Sequence, residues 1–180
     1  SGPLTILPHV QRDVPYDARK DFAPIGLIAT SAFLLLAHPS VPARSVSELV
    51  ALAKREPGQW NYASAGNGAT NHLAMELFRS MASIDLVQVP FKGAPQAVTD
   101  LLGGRVKLMF NSIAPVLGHL KAGRLQVYGV SSLQRAPQLP DVPTIAEAGV
   151  PGYEMINWFG ILAPARTPAA IVNRLSNIAV

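Results

Sequence analysis

The fold is decided at Asn61-Tyr-Ala-Ser-Ala-Gly-Asn-Gly-Ala-Thr-Asn-His72, where a short apolar strand leads through a glycine-rich turn into an amphipathic helix. The strand ends at Ser64, and the helix begins near Ala69. A turn of this kind directs unpaired backbone N–H groups, and the positive end of a helix dipole, at one spot. The stretch therefore predicts a binding site for an anion.

The same strand–turn–helix unit recurs on both sides of this stretch. Short apolar strands separated by helical patterns are predicted at residues 60–64, 86–91, 106–110 and 125–130. Two longer aliphatic segments, 25–37 and 154–162, flank the series, and each exceeds the usual length of a strand. Strands that alternate with helices predict an α/β fold whose sheet is parallel and joined by right-handed crossovers.

Local signals refine this outline. Residues 45–48 and 144–147 both have the pattern of a capping box, which predicts a helix after each of them. Residues 1–23, with their spaced prolines, are predicted to be loop. Apolar residues at helical spacing predict the inward face of the helix that follows the glycine turn, formed by Leu73, Leu77, Phe78 and Met81.

The carboxyl ends of the predicted strands indicate where a ligand binds, because open α/β sheets place their ligands there. Those ends hold residues 64–70, 91–94, 111–114 and 131–132. They offer glycine backbones, hydroxyls, an amide and the side chain of Lys92, but no carboxylate. This set donates hydrogen bonds to a small anion and lacks an evident base or nucleophile, so we expect binding without catalysis.

Motifs for nucleotide binding and hydrolysis fail around Gly66 and Gly68. No third glycine completes a dinucleotide fingerprint, no Gly-Lys-Ser/Thr forms a phosphate loop, and Ser64 lacks the preceding glycine of a hydrolase elbow. A tight turn that merely packs remains an alternative for the two glycines. His72 either holds the turn or faces the ligand, and Lys92 is either solvated or part of the site.

Composition excludes several other classes. The chain has 180 residues, no cysteine and a net charge of +4. Its basic residues are scattered and not interleaved with aromatic ones, so we expect no nucleic-acid partner. Its four histidines lack metal-ligand spacing, so we expect no metal and no cofactor. The chain contains no signal-peptide pattern and no apolar run long enough to span a membrane.

A series of short motifs stands in a fixed order along the chain. It includes Gly66-x-Gly68-x-x-x-His72-Leu73, Val89-Pro-Phe-Lys-Gly93, Asp100-Leu-Leu-Gly-Gly-Arg-Val106, Leu139-Pro-Asp-Val-Pro-Thr144 and Trp158-Phe-Gly160. Each motif alone is weak, but their order and spacing are specific. From about Pro15 to the end, the chain resembles the Bug-type receptors, the periplasmic substrate-binding proteins of tripartite tricarboxylate transporters.

This resemblance implies a periplasmic-binding-protein-like α/β fold, with a parallel or mixed sheet and helices on both faces. Two lobes would close on a small carboxylate like a Venus flytrap, and the ligand would pass to a membrane permease. Residues 28–157 would form the second lobe, and residues 1–27 and 158–180 would be segments of the first. Family chains are longer at both ends, so we expect a fragment that lacks the N-terminal part and the C-terminal end.

The resemblance also implies which residues bind the ligand. Backbone N–H groups of the glycine turn would hold a carboxylate, and the remaining positions would line the cleft. The implied ligand-binding residues are Ser1, Gly2, Ser64, Ala65, Gly66, Gly68, Ala69, Thr70, His72, Lys92, Gly93, Asn111, Asn157 and Trp158. Asn111 stands where the family often has an aspartate, which favours an anionic or polar ligand group near it. Two alternatives stay open on the same fold: a sensory or partner-binding domain without transport, and a small-molecule enzyme.

Overall fold

The computed structural model describes residues 2–10 and 13–179. The chain forms two compact units. One contains the described residues of Ser1–Ser31 and Asn157–Val180, and the other is Ala32–Ile156. The predicted lobe boundaries lie close to these divisions, but the assignment of the units to receptor lobes stays a prediction.

The elements alternate as the sequence indicates. Within the described residues, the helices are α1 (Gly2–Thr5), α2 (Leu7–Val10), α3 (Val46–Arg55), α4 (Thr70–Ala82), α5 (Ala94–Leu102), α6 (Ile113–Lys121) and α7 (Ala169–Ala179). The strands are β1 (Phe22–Ala37), β2 (Asn61–Ser64), β3 (Val87–Pro90), β4 (Leu108–Ser112), β5 (Gln126–Val130) and β6 (Ile156–Pro164). The two long aliphatic segments are thus the single strands β1 and β6, which pair with each other.

The sheet of the larger unit is mixed, with the order β3-β2-β4-β1-β5. Strand β2 runs parallel to both β3 and β4, as predicted. The second half of β1 runs antiparallel to β4 and to β5, so the parallel sheet predicted from the alternating pattern is wrong for this strand, whereas the mixed sheet allowed by the family resemblance is confirmed. The reason is that β1 enters the unit from outside, so no crossover helix precedes it in this sheet and sets its direction.

Helices cover both faces of this sheet, and their contacts with β1 explain why residues 32–37 of this strand are apolar without interruption. Phe33, Leu35 and Ala37 pack into one cluster with residues of α3 and α4. The alternate residues Leu34 and Leu36 pack into a second cluster with residues of α5 and α6. A strand buried on both faces has no position for a polar side chain, which explains the aliphatic run.

Of the two predicted capping boxes, the second forms both reciprocal bonds, whereas in the first the Glu48 carboxylate accepts the Arg44 N–H instead of the Ser45 N–H; only the first opens a helix. Ser45 Oγ accepts the Glu48 N–H at 3.2 Å, and α3 follows. Thr144 and Glu147 exchange two hydrogen bonds, at 2.8 and 3.1 Å, yet residues 145–149 form turns instead of the predicted helix. The next residue, Ile145, donates its N–H to the Val130 carbonyl at 2.9 Å. This bond ties the segment to β5.

Two further predictions differ from the structure. Residues 1–23 were predicted to be loop, but their first part contains α1 and α2. Helix α4 turns a different face inward from the predicted one, since Leu77 and Met81 are 36% and 39% exposed. Its buried residues are Asn71, Ala74, Met75, Phe78 and Ala82.

Ser131, directly after β5, ties together two segments of the larger unit. It is fully buried, and its Oγ accepts the Phe33 N–H at 2.8 Å and donates to the Met155 carbonyl at 2.6 Å. Backbone bonds reinforce this arrangement, because the Ser131 N–H reaches the Phe33 carbonyl and its carbonyl accepts the Met155 N–H. One hydroxyl therefore makes a hydrogen bond to β1, near the start of its part in this unit, and another to the residue just before β6.

Ser131→Ala should lower the free energy of unfolding by about 1–3 kcal/mol, because it leaves buried backbone groups without their partner. Chemical denaturation followed by circular dichroism measures the change. Ser132→Ala is the matched control, since the Ser132 hydroxyl is exposed and donates to the Gln134 carbonyl at 2.6 Å. We expect the control to change stability by less than about 0.5 kcal/mol. Equal effects of the two substitutions would contradict the proposed role of Ser131.

Candidate anion-binding site

Three helices begin at one edge of the sheet of the larger unit. The neighbouring parallel strands β3, β2 and β4 lead into α5, α4 and α6 respectively. The N-cap residues Gly93, Ala69 and Ser112 make no side-chain capping bond to these helices, whereas Ser45 caps α3. Uncapped first turns present N–H groups and the positive ends of three helix dipoles, so this edge attracts negative charge.

The turn between β2 and α4, residues 64–70 and here called the glycine loop, uses most of its own N–H groups internally. Ala65 donates to Asn71 Oδ1 at 3.2 Å, Gly66 to Ser64 Oγ at 3.4 Å, Gly68 to His72 Nδ1 at 3.1 Å and Ala69 to the Gly66 carbonyl at 3.2 Å. These four groups are therefore already engaged within the loop, and binding of a carboxylate by the loop stays a prediction. Among the N–H groups of residues 65–72, those without an acceptor in the described structure are Asn67 and, in the first turn of α4, Thr70, Asn71 and His72.

Side chains from outside the glycine loop fix its shape. Gln88 of β3 donates from Nε2 to Ser64 Oγ at 2.8 Å and to Asn67 Oδ1 at 3.0 Å. Asn71, which is 5% exposed, accepts the Ala65 N–H and donates to the Phe110 carbonyl at 3.3 Å. Sequence reasoning missed both residues. The available signal was a polar residue between Val87 and Val89 and a polar residue on the inward face of α4.

The two glycines of the loop are required by their backbone conformation. Gly66 has a φ of +120° and Gly68 a φ of +75°, which side-chain-bearing residues rarely adopt. A Cβ atom on Gly66 would also lie 3.4 Å from the Phe91 carbonyl oxygen. That distance is close to ordinary van der Waals contact, so the backbone conformation, and not a clash with Phe91, is what requires glycine at this position.

His72 holds the glycine loop, which was one of the two predicted roles. Its Nδ1 accepts the Gly68 N–H, and its ring stacks on Tyr62 with the centroids 6.5 Å apart and 14° between the planes. Its Nε2 lies 4.0 Å from Glu76 Oε1, and the side chain is 18% exposed. Whether His72 also contacts a ligand stays a prediction.

Glu76 is the centre of a charged network beside the loop. It accepts hydrogen bonds from the Tyr62 hydroxyl and from Arg79, whose other terminal nitrogen binds Asp85 at 3.0 Å. Partial burial disfavours the ionised form of Glu76, but the bonds from Tyr62 and Arg79 outweigh it and lower the pKa of the carboxyl. Burial, followed by the bond to Glu76, raises the pKa of the Tyr62 hydroxyl. Glu76 is therefore ionised and Tyr62 neutral at physiological pH.

Asn111 lies at the same edge, near the end of β4, and is 6% exposed. Its Oδ1 accepts the Ser112 N–H at 2.8 Å, which fixes the orientation of the amide. Its Nδ2 is buried and has no acceptor within the described residues. A buried donor without a partner is rare and unfavourable, so an acceptor brought to it would be stabilised.

The remaining predicted site residues fall into three groups. Lys92 is exposed beside Gly93, which has a φ of +125° and precedes α5. Gly2, Asn157 and Trp158 belong to the smaller unit, and their part in binding stays a prediction. Ser1 lies outside the described residues.

In the part of the chain that the structure describes, no group of three His, Cys, Asp or Glu side chains could hold a metal ion. Across residues 2–10 and 13–179, none of the helices has both the length and the apolar character needed to cross a membrane.

The chain is similar to members of a known protein family. The sequence profile of the TctC family, described as "Tripartite tricarboxylate transporter family receptor", matches residues 1–179. The chain is 42% identical over 164 residues to the "UPF0065 protein in tcbD-tcbE intergenic region" of Pseudomonas sp. strain P51, and 31% identical over 172 residues to Protein BugT of Bordetella pertussis. These matches cover 91% and 96% of this chain but 49% and 53% of the relatives, so the chain spans about half of their length.

Several solved structures are also similar to this chain over nearly its whole length. "R. palustris Rpa4515 with adipate" has 37% identity and a TM-score of 0.91, over 99% of this chain and 60% of that one. The periplasmic binding protein BugD has 32% identity and a TM-score of 0.87, with the same coverage. "MatC (Rpa3494) from Rhodopseudomonas palustris with bound malate" has 31% identity and a TM-score of 0.82, over 98% of this chain and 59% of that one. The matched family is one of receptors and not of enzymes.

Gly66→Ala should lower the free energy of unfolding by about 1–3 kcal/mol, because alanine at a φ of +120° is strained. Gly118→Ala is the matched control, since nothing lies within 4 Å of a Cβ atom at this position on α6. We expect the control to raise stability by about 0.5–1 kcal/mol through helix propensity. Denaturant titration of both variants measures the difference, and a neutral Gly66→Ala would contradict the assigned backbone constraint.

Proposed function

Because the chain belongs to the receptor family of tripartite tricarboxylate transporters, we propose that it is part of an extracytoplasmic receptor that captures a small carboxylate and delivers it to a membrane permease. Relatives support the ligand class, since one similar structure contains adipate and another contains malate. A periplasmic location is part of the same proposal, because the neighbour BugD is a periplasmic binding protein.

The observation that carries this proposal is the convergence of three uncapped helix starts at the ends of β3, β2 and β4. The glycine loop between β2 and α4 is held by Gln88, Asn71 and His72, so the first turn of α4 is positioned before any ligand arrives. We assign the carboxylate to the N–H groups of Thr70, Asn71 and His72. Prior ordering of these donors removes an entropic cost from binding.

The free energies of the hydrogen bonds indicate that this edge supplies only part of the affinity for a ligand. A hydrogen bond to a charged group contributes roughly 1.5–3 kcal/mol, so three of them give roughly 5–9 kcal/mol. Association itself costs an estimated 4–15 kcal/mol, whereas micromolar binding needs a net gain of about 8 kcal/mol. Receptor-like affinity therefore needs contacts beyond the first turn of α4, and Asn111 is the first candidate.

The residues at this edge fit a site that releases its ligand chemically unchanged. The sequence has no carboxylate or thiol at residues 64–70, 91–94 or 111–114. The nearby Glu76 is bound by Tyr62 and Arg79, and the Nδ1 atom of His72 is occupied by the Gly68 N–H. A ligand held at the start of α4 would meet donors rather than a free base.

Asn111→Asp should weaken carboxylate binding by about tenfold or more, equivalent to at least about 1.4 kcal/mol. Aspartate keeps the acceptor for the Ser112 N–H but replaces the Nδ2 donor with a second oxygen and adds a negative charge that repels the ligand. Isothermal titration of the full-length protein with a panel that includes adipate and malate measures the effect.

Asn173→Asp is the control for this experiment, because it adds the same charge at an exposed position on α7. We expect it to leave carboxylate affinity unchanged. If the wild-type protein binds no carboxylate in the panel, the receptor proposal fails. If Asn111→Asp binds as tightly as the wild type, the assigned role of Asn111 is wrong.

A further inference from the structure

The hydrogen bond between Gly68 and His72 determines where the proton of the neutral imidazole lies. Because Nδ1 accepts the Gly68 N–H at 3.1 Å, it carries no proton of its own. The proton of the neutral ring is therefore on Nε2, which lies 4.0 Å from Glu76 Oε1. The imidazole thus connects the glycine loop on one side to a carboxylate on the other.

The ring is confined in this position. It stacks on Tyr62, and the Tyr62 hydroxyl donates to the same Glu76 oxygen that lies near Nε2. The side chain of His72 is 18% exposed, so it has little room to turn towards solvent. When the ring gains a proton, it therefore stays in place, and the effect falls on the residues that it already contacts.

A second proton on the ring would change one of those contacts into a repulsive one. The proton binds Nδ1, which becomes a donor and faces the N–H group of Gly68, so the bond between them is lost. On the opposite side, the Glu76 carboxylate stabilises the charged ring. Gly68, whose φ of +75° is easily changed in a glycine, is the group that moves.

Charged and titratable groups around the ring are few. Tyr62 faces it from β2, and Glu76 faces it from α4. Arg79 competes for the same Glu76 oxygen at 2.7 Å, and Asp85 in turn binds Arg79. Gln88, which contacts the loop from β3, does not titrate. Glu76 is thus the group that offsets the charge of a protonated His72.

We propose that neutral His72 is a positioning residue that holds the glycine loop in its anion-binding conformation, and that protonation of its ring releases Gly68 and weakens binding. Gly68 directly precedes Ala69, the N-cap of α4, so its release disturbs the first turn that presents the donors. The positive charge gained on the ring does little for the anion, because Glu76 offsets it. The part of this inference that concerns affinity rests on the proposed carboxylate function.

The conformational part can be tested without a ligand. In the full-length protein labelled with 15N, the amide resonance of Gly68 is followed from about pH 8 to about pH 5, the range in which histidines ordinarily titrate. We expect it to shift in the wild type and to stay constant in His72→Asn. Asparagine places its Oδ1 near the position of the imidazole Nδ1 and gains no proton. A Gly68 resonance that does not titrate in the wild type, or that titrates equally in His72→Asn, would overturn the proposal.

Glu76→Gln provides a second variant should His72→Asn fold poorly. It keeps the shape of the side chain and removes the charge that faces Nε2. We expect the Gly68 transition to move to lower pH in this variant, because the charged ring loses its partner. An unchanged transition would count against the proposal.

The affinity part uses adipate as the probe, titrated at about pH 8 and about pH 6 into the wild type and His72→Asn. We expect the wild type to lose roughly fivefold in affinity relative to His72→Asn at the lower pH, the effect of about one hydrogen bond. Because both proteins are titrated with the same adipate at each pH, His72→Asn controls for the ionisation of adipate itself. Equal losses in both proteins would overturn this part. If the Gly68 resonance titrates only in the wild type while adipate binds neither protein, the proposed role of His72 is supported and only the proposed function fails.

Discussion

The candidate site depends on the need to pair buried polar groups where β2 ends. Ser64 is fully buried and Asn71 nearly so, and neither can turn to water. Their hydrogen bonds with Gln88, Ala65 and the Phe110 carbonyl therefore have to be made within the protein. Together these bonds occupy the inside of the glycine loop. What remains available to a ligand is the N–H group of Asn67 and the first turn of α4, whose N–H groups lack partners because of the geometry of a helix start.

The order and direction of the strands then determine how many helix N-termini lie at this edge, and so how positive its electrostatic potential is. The three parallel neighbours β3, β2 and β4 all end at one edge, and each continues into a helix without a side-chain cap. Strand β1 runs the other way and brings no helix start to this edge. The anion site is therefore a property of three adjacent strand–helix units. The glycine loop differs from the other two turns in being cross-linked by side chains from β3 and α4.

The sequence predicted most elements of the larger unit and the edge at which three of its helices begin, because periodicity and turn residues encode burial and chain reversal. It could not predict the direction of β1, since an aliphatic run is equally apolar in either direction. It could not choose the inward face of α4 either, because Leu77 and Met81 are as apolar as Met75 and Phe78. The bonds from Gln88 and Asn71 were also missed, since they join residues whose proximity depends on the register of β2 and β3.

These bonds also bear on what the protein does with a ligand. A general base has to direct an unshared electron pair at the ligand, but His72 Nδ1 and Glu76 Oε1, beside the glycine loop, already accept hydrogen bonds from the protein. His72 accepts from Gly68, and Glu76 accepts from Tyr62 and Arg79. These bonds hold the loop in place. They agree with the proposed function, in which ordered backbone donors bind an anion and release it chemically unchanged.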